Sequence, residues 1–106
     1  EQIEDLLDIA FVEIDPMTVS LMDNGRDRHL RFRAHLETPA HYKADVEKLL
    51  PRIVDVLNSY LRAVELSDLK SASALVRLRG QMLRRVQLVV GDGRINDLLI
   101  MEFVLN

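Results

Sequence analysis

The stretch Arg28-His29-Leu30-Arg31-Phe32-Arg33-Ala34-His35-Leu36-Glu37 decides the fold. Its period is two. Leu30, Phe32, Ala34 and Leu36 fall on one side, and His29, Arg31, Arg33, His35 and Glu37 on the other. Because successive strand side chains point to opposite faces, this is a strand with one face in a core and one that is wet or held by a partner. Just upstream, Asp23-Asn24-Gly25 supplies residues that tolerate positive φ, and Asn-Gly is a strong hairpin signal. Met17 to Met22 alternates as well, with Val19 and Leu21 on one face and Thr18 and Ser20 on the other, so a strand enters that turn. Before it, Phe11 to Ile14 is short and apolar until Asp15-Pro16 interrupts, which reads as a strand end or bend.

Downstream the period changes. Thr38-Pro39 reads as N-cap and first residue of a helix, since a threonine oxygen can accept an orphan N–H and proline has none to orphan. Val46, Leu49, Leu50, Ile53, Leu57, Leu61 and Val64 then recur at steps of three and four, predicting one apolar stripe over residues 40–64. Pro51 inside it predicts a kink, or two helices sharing a face. Ser67 and Asp68 are cap candidates for a second amphipathic helix, Ala72 to Val90, whose stripe is Leu75, Leu78, Met82, Val86 and Val89. Arg77, Arg84 and Arg85 lie largely outside that stripe, and Gly80 within the helix is read as a close helix contact. Gly91-Asp92-Gly93 ends it. Ile95 to Leu105 is read as a last strand with Leu99, Met101, Phe103 and Leu105 inward. The sum is a single α+β domain over residues 1–106: a mainly antiparallel sheet with two amphipathic helices on one face.

Composition narrows what such a domain does. With 106 residues there is room for one core, and 14 Lys plus Arg against 17 Asp plus Glu give a net charge of −3. That balance disfavours a basic nucleic-acid binder and a disordered acidic chain alike. The absence of cysteine excludes disulfides, thiolate metal sites and a cysteine nucleophile. Apolar runs such as Leu98 to Met101 reach 4 residues, far short of the roughly 18 that span a bilayer. The first residue is Glu, which points to an upstream segment, a membrane helix included. Charge is uneven: residues 1–23 carry seven acids and no Lys or Arg, while the remainder has a net charge of +4. Residues 1–10 therefore read as an acidic lead-in that the basic remainder can attract.

No chemistry-bearing constellation is grouped by spacing. His29 and His35 share a strand face but lie roughly 20 Å apart, and His41 has no HxxxH partner, so no metal ligands are assigned. Ser20, Ser59, Ser67, Ser71 and Ser73 sit in no GxSxG elbow, and the glycines form neither GxGxxG nor a P-loop. No catalytic residue and no cofactor is assigned. Nucleic acid is not an expected partner, since Phe32 falls on the core face and cannot stack on bases. Arginine is enriched at interface cores, which makes Arg31, Arg33, Arg77, Arg84 and Arg85 the candidate contact residues, facing acids from residues 1–15.

Several of these stretches together resemble one family, the flagellar basal body-associated protein FliL in its periplasmic domain. Ile14-Asp15-Pro16-Met17-Thr18-Val19-Ser20-Leu21 resembles the family's opening, and Arg28 through Leu36-Glu37 its arginine-led second strand. Leu50-Pro51-Arg52-Ile53-Val54-Asp55 is similar to its proline-bearing helix, and Tyr60-Leu61 with Ser67-Asp68-Leu69 to the approach to its second helix. Glu102-Phe103-Val104-Leu105-Asn106 resembles its close. Ser71-Ala72-Ser73-Ala74 departs from the family's Ser-Pro-Glu-Gly turn, Asn106 stands where Gln is usual, and the basic second helix most resembles alphaproteobacterial members. The resemblance implies a stomatin-like fold and a non-enzymatic, single-pass inner-membrane protein with this domain in the periplasm. It further implies self-association into a ring and contact with the MotA/MotB stator. From the residues alone, a soluble domain that binds a small anion at the arginine face is the alternative.

Overall fold

A computed structural model describes residues 8–106. The part of the acidic lead-in at residues 1–7 lies outside the described residues; Ile9 and Ala10 already belong to a strand. The chain runs β1 (Ile9–Asp23), β2 (Arg26–Pro39), a 3-10 turn (Ala40–Tyr42), α1 (Lys43–Lys48), α2 (Leu50–Arg62), a second 3-10 turn (Leu66–Leu69), α3 (Ala74–Val90) and β3 (Asp97–Leu105). The three strands form one sheet in the order β1-β2-β3, antiparallel throughout. This is the expected α+β architecture, with the helices packed on one side of the sheet.

The hairpin turns where predicted. Asp23 pairs with Arg26 across a two-residue loop, and Asn24 and Gly25 take φ of 50° and 80°. Positive φ at both central positions matches the right-handed twist of the flanking strands, which is why Asn-Gly serves there. Asp15-Pro16 does not end a strand. It forms a bulge between Ile14 and Met17 inside one 15-residue strand, where a residue without an N–H is tolerated on an edge. On β2, Leu30, Phe32, Ala34 and Leu36 are fully buried, and their β1 partners Val19, Met17, Ile14 and Val12 share their face.

Four readings of the sequence are corrected. Thr38 is not an N-cap: it belongs to β2, is fully buried, and its hydroxyl donates to the Arg94 carbonyl at 2.6 Å, so the helix begins later, at Lys43. Ser67 and Asp68 lie inside the second 3-10 turn, and α3 starts after Ser73 without a side-chain cap. In α3 the buried stripe is Ala74, Leu78, Met82, Val86 and Val90, while Leu75 is 45% exposed. A strict step of four drifts around the helix and carries the stripe along the crossing groove. In β3 a register shift between Arg33 and Ala34 leaves Met101 extra. Leu98, Ile100, Phe103 and Leu105 therefore pair with the core positions of β2, and Leu99 and Met101 fall on the opposite face.

Pro51 settles as the boundary of two helices. It sits in the first turn of α2, where its missing N–H costs nothing, and α1 ends just before. Val46 from α1, Ile53, Leu57 and Leu61 from α2, and Leu78, Met82 and Val86 from α3 close over the sheet. Gly91, at φ 96°, ends α3. Gly80 is not a close contact: a Cβ added there meets nothing within 4 Å. Among the described residues, no helix is long and apolar enough to cross a membrane.

Candidate interaction site

With one side of the sheet covered by helices, β2 turns His29, Arg31, Arg33, His35 and Glu37 to the other side. Arg31 Nε donates to Glu102 Oε1 at 2.8 Å, and His35 Nε2 lies 3.6 Å from Glu13 Oε1. Arg33 differs from both. It is half-buried, and among the described residues it makes no ion pair or side-chain hydrogen bond. Its neighbours explain the setting: opposite Arg33 on one side is the Asp15-Pro16 bulge of β1, and on the other is Glu102 of β3, already bonded to Arg31 and next to the extra residue Met101. Bulges on both flanking strands at one level bend the sheet around that guanidinium. Phe11, Met101 and Val104 stand exposed on the same face, 44% to 46%.

The other three predicted arginines lie on the far side of the molecule, in the helix layer. α3 carries Arg77, Arg79, Arg84 and Arg85 and no acidic residue over its 17 positions. Arg85 sits with its guanidinium carbon 4.8 Å from the centre of the Tyr60 ring on α2, a cation–π contact. Burial, working against the Arg85 charge, pushes the Tyr60 hydroxyl above its ordinary pKa. Arg77 donates to Ser73 Oγ at 3.0 Å and reaches Ser71 Oγ and the Asp68 carbonyl at 3.5 Å each. Between α2 and α3 these residues border an open groove of about 630 Å³, lined by Tyr60, Val64, Val76, Arg77, Gly80 and Arg85. Arg84 is exposed and does not line it.

The five arginines thus form two patches that the structure does not bring together. Of their expected acidic partners within residues 1–15, Glu13 faces His35, and Asp8 and Asp15 are exposed, the latter at the bulge; residues 1–7 lie outside the described region. Two features of the surface were not visible in the sequence. One is Tyr60, which meets Arg85 only because α2 and α3 pack side by side. The other is Arg79, whose Nε donates to the Leu98 carbonyl at 2.9 Å and whose second nitrogen pairs with Asp97. That fork seals the exposed edge of β3, a job that edge strands commonly give to charged side chains. Arg79 pairing, with help from the Leu98 N–H, outweighs burial and holds the Asp97 carboxyl below its usual range.

Arginine side chains stand beside exposed apolar ones on these surfaces, and among the described residues no three His, Asp or Glu side chains gather as metal ligands would. Fold and surfaces together define an α+β domain with arginine side chains on each of two opposite sides. The family model for the flagellar basal body-associated protein FliL matches residues 11–105, and the chain belongs to that family. Flagellar FliL proteins from two strains of Caulobacter vibrioides, NA1000 / CB15N and ATCC 19089 / CIP 103742 / CB 15, are each 29% identical over 100 residues, 92% of this chain and 49% of theirs. The chain spans about half the length of these relatives.

Proposed function

We propose that this chain is the periplasmic domain of a single-pass inner-membrane accessory protein of the flagellar motor. It binds the MotA/MotB stator, associates with copies of itself into a ring, and supports the stator's torque-generating state in motility and chemotaxis. The role is non-enzymatic. The observation that carries this reading is the family match, which runs through nearly the whole chain. One feature of the surface supports it further. Arginine patches on opposite sides give each copy two different contact surfaces, as a ring built head to tail requires. Arg31 and Arg33 on the sheet, with Arg77, Arg84 and Arg85 on α3, are the interface residues proposed, facing acids from residues 1–15.

The mechanism is differential binding. A domain that prefers the open stator by a small margin shifts its population little alone, and a ring multiplies that margin through effective concentration. A deletion strain, complemented with the wild-type gene or with Arg84→Glu plus Arg85→Glu, tests the reading by swimming in soft agar and by sedimentation of the membrane-tethered protein. Loss of swimming on deletion, and weakened assembly on charge reversal, are expected. Full motility of the deletion strain sinks the motor role; unchanged sedimentation sinks the arginine interface.

A further inference from the structure

The groove between α2 and α3 has a chemistry of its own. Arg77 and Arg85 stand at its two ends, eight residues apart on one helix, which at 1.5 Å per residue is about 12 Å along the axis. Arginines spaced on that scale match a longer ligand with two anionic groups better than a single phosphate or carboxylate. Between the arginines Gly80 leaves the helix without a side chain, and Val64 and Val76 add apolar wall to the groove. Both guanidiniums are positioned in advance: Arg77 by Ser73, Ser71 and the Asp68 carbonyl, Arg85 by the Tyr60 ring. Pre-positioned forks lose less rotamer freedom on meeting a carboxylate. Asp68 also lines the groove and repels a third carboxylate placed near it, which favours one register of the ligand.

We propose that this groove is a receptor for an extended acidic peptide, and that its occupant is the stretch Glu1-Gln2-Ile3-Glu4-Asp5 of a copy of this chain. In an extended peptide residues 1, 3 and 5 point to one side, and four steps of about 3.3 Å separate the outer two by about 13 Å. Glu1 and Asp5 then match Arg77 and Arg85, and Ile3 meets the valine wall above Gly80. The inference rests on the assignment of Arg77 and Arg85 to an interface, and it fixes which acids they meet.

The test uses the whole chain with its own acids neutralised (Glu1→Gln, Glu4→Gln, Asp5→Asn), titrated with a synthetic peptide of residues 1–7 while the Gly80 amide and Tyr60 ring signals are followed by NMR. Saturable shifts at both groups are expected. Affinity should fall about tenfold or more with Arg85→Gln, or when the peptide's Glu1 and Asp5 are made Gln and Asn, the usual worth of a hydrogen bond to a charged group. Gly80→Leu should abolish binding without lowering the melting temperature, because the site is exposed and a Cβ there has open space. Equal binding of the neutral peptide, or full binding to the Gly80→Leu chain, overturns the proposal. So does inorganic phosphate that saturates the same signals and competes with the peptide, which would make this a small-anion site. Swimming assays are a separate readout, so failure here leaves the motor role standing or falling on its own evidence.

Discussion

The two faces of β2 obey different rules, and residues one position apart show it. Phe32 is fully buried, meets the Phe103 ring edge-on with centroids 6.4 Å apart, and belongs to the continuous core under α2 and α3. Arg33, its neighbour, faces the open side between two bulges and makes no ion pair among the described residues, its cross-strand partner Glu102 being bonded to Arg31. On the closed face, volume and the exclusion of water select the residue. On the open face neither does, so a half-buried guanidinium without an ion pair is tolerated there. The demands of packing thus change across the thickness of one strand.

Substituting these two residues sharpens the contrast most. Phe32→Ala should cost about 3–5 kcal/mol in chemical denaturation, since the cavity lies where sheet and helices both hold their positions. Arg33→Ala should cost less than about 1 kcal/mol, as surface changes do, while impairing swimming in a complemented deletion strain. Comparable losses of stability from both would erase the division of labour. Thr38 is the closed face's polar member, and Thr38→Val strands the Arg94 carbonyl that its hydroxyl now satisfies. A loss of about 1–3 kcal/mol is expected from that orphaned acceptor.

That contrast was half legible in the sequence. The alternation from Leu30 to Leu36 fixed the inward face because a period of two has only two solutions, and Asn24-Gly25 fixed the turn because few residues accept positive φ. β3 was read onto the wrong face at Leu99 and Met101, since the extra residue at Met101 is set by pairing with Arg33 and Ala34, far away in the chain. Thr38-Pro39 carries a capping pattern, yet Thr38 is held in β2 opposite Ala10, where its hydroxyl donates to the Arg94 carbonyl and the first helix begins beyond its reach. Of the five candidate arginines Arg33 is half-buried and the other four are exposed, and their division between opposite sides follows from layer packing, which no local pattern encodes. The groove with Tyr60 and Arg85 depends on the same packing.

Glycines sharpen the comparison between constrained and free surface on a smaller scale. Gly25, at φ 80° in the hairpin, should lose about 1 kcal/mol or more when changed to Ala, because a Cβ opposes left-handed backbone. Gly80→Ala, in the open groove of α3, should instead gain up to about 1 kcal/mol from helix propensity. Thermal melts of the two variants should move in opposite directions, and movement in the same direction would mean that Gly80 serves packing after all.

The smallest effect expected concerns the ion pairs at the seam and on the open face. Arg31 and Glu102 have half- and one-third-exposed side chains, so Arg31→Ala should change stability by no more than about 1 kcal/mol and by less at high salt. Asp97 is tied more firmly, with Arg79 on one oxygen and the Leu98 N–H on the other, and its carboxyl is held below the usual range. A carboxyl whose pKa is lower folded than unfolded contributes stability above its unfolded value, near 3.9, and loses it as pH falls through the folded value. The wild-type chain should therefore lose stability more steeply than Asp97→Asn as pH drops below about 4. The asparagine keeps an oxygen for the Leu98 N–H, so the difference between the two acid limbs reports the charge on Arg79's partner and not a broken turn. Identical acid limbs in denaturation at pH 2–5 would mean that the β3 edge is held by the Arg79 bond to the Leu98 carbonyl alone.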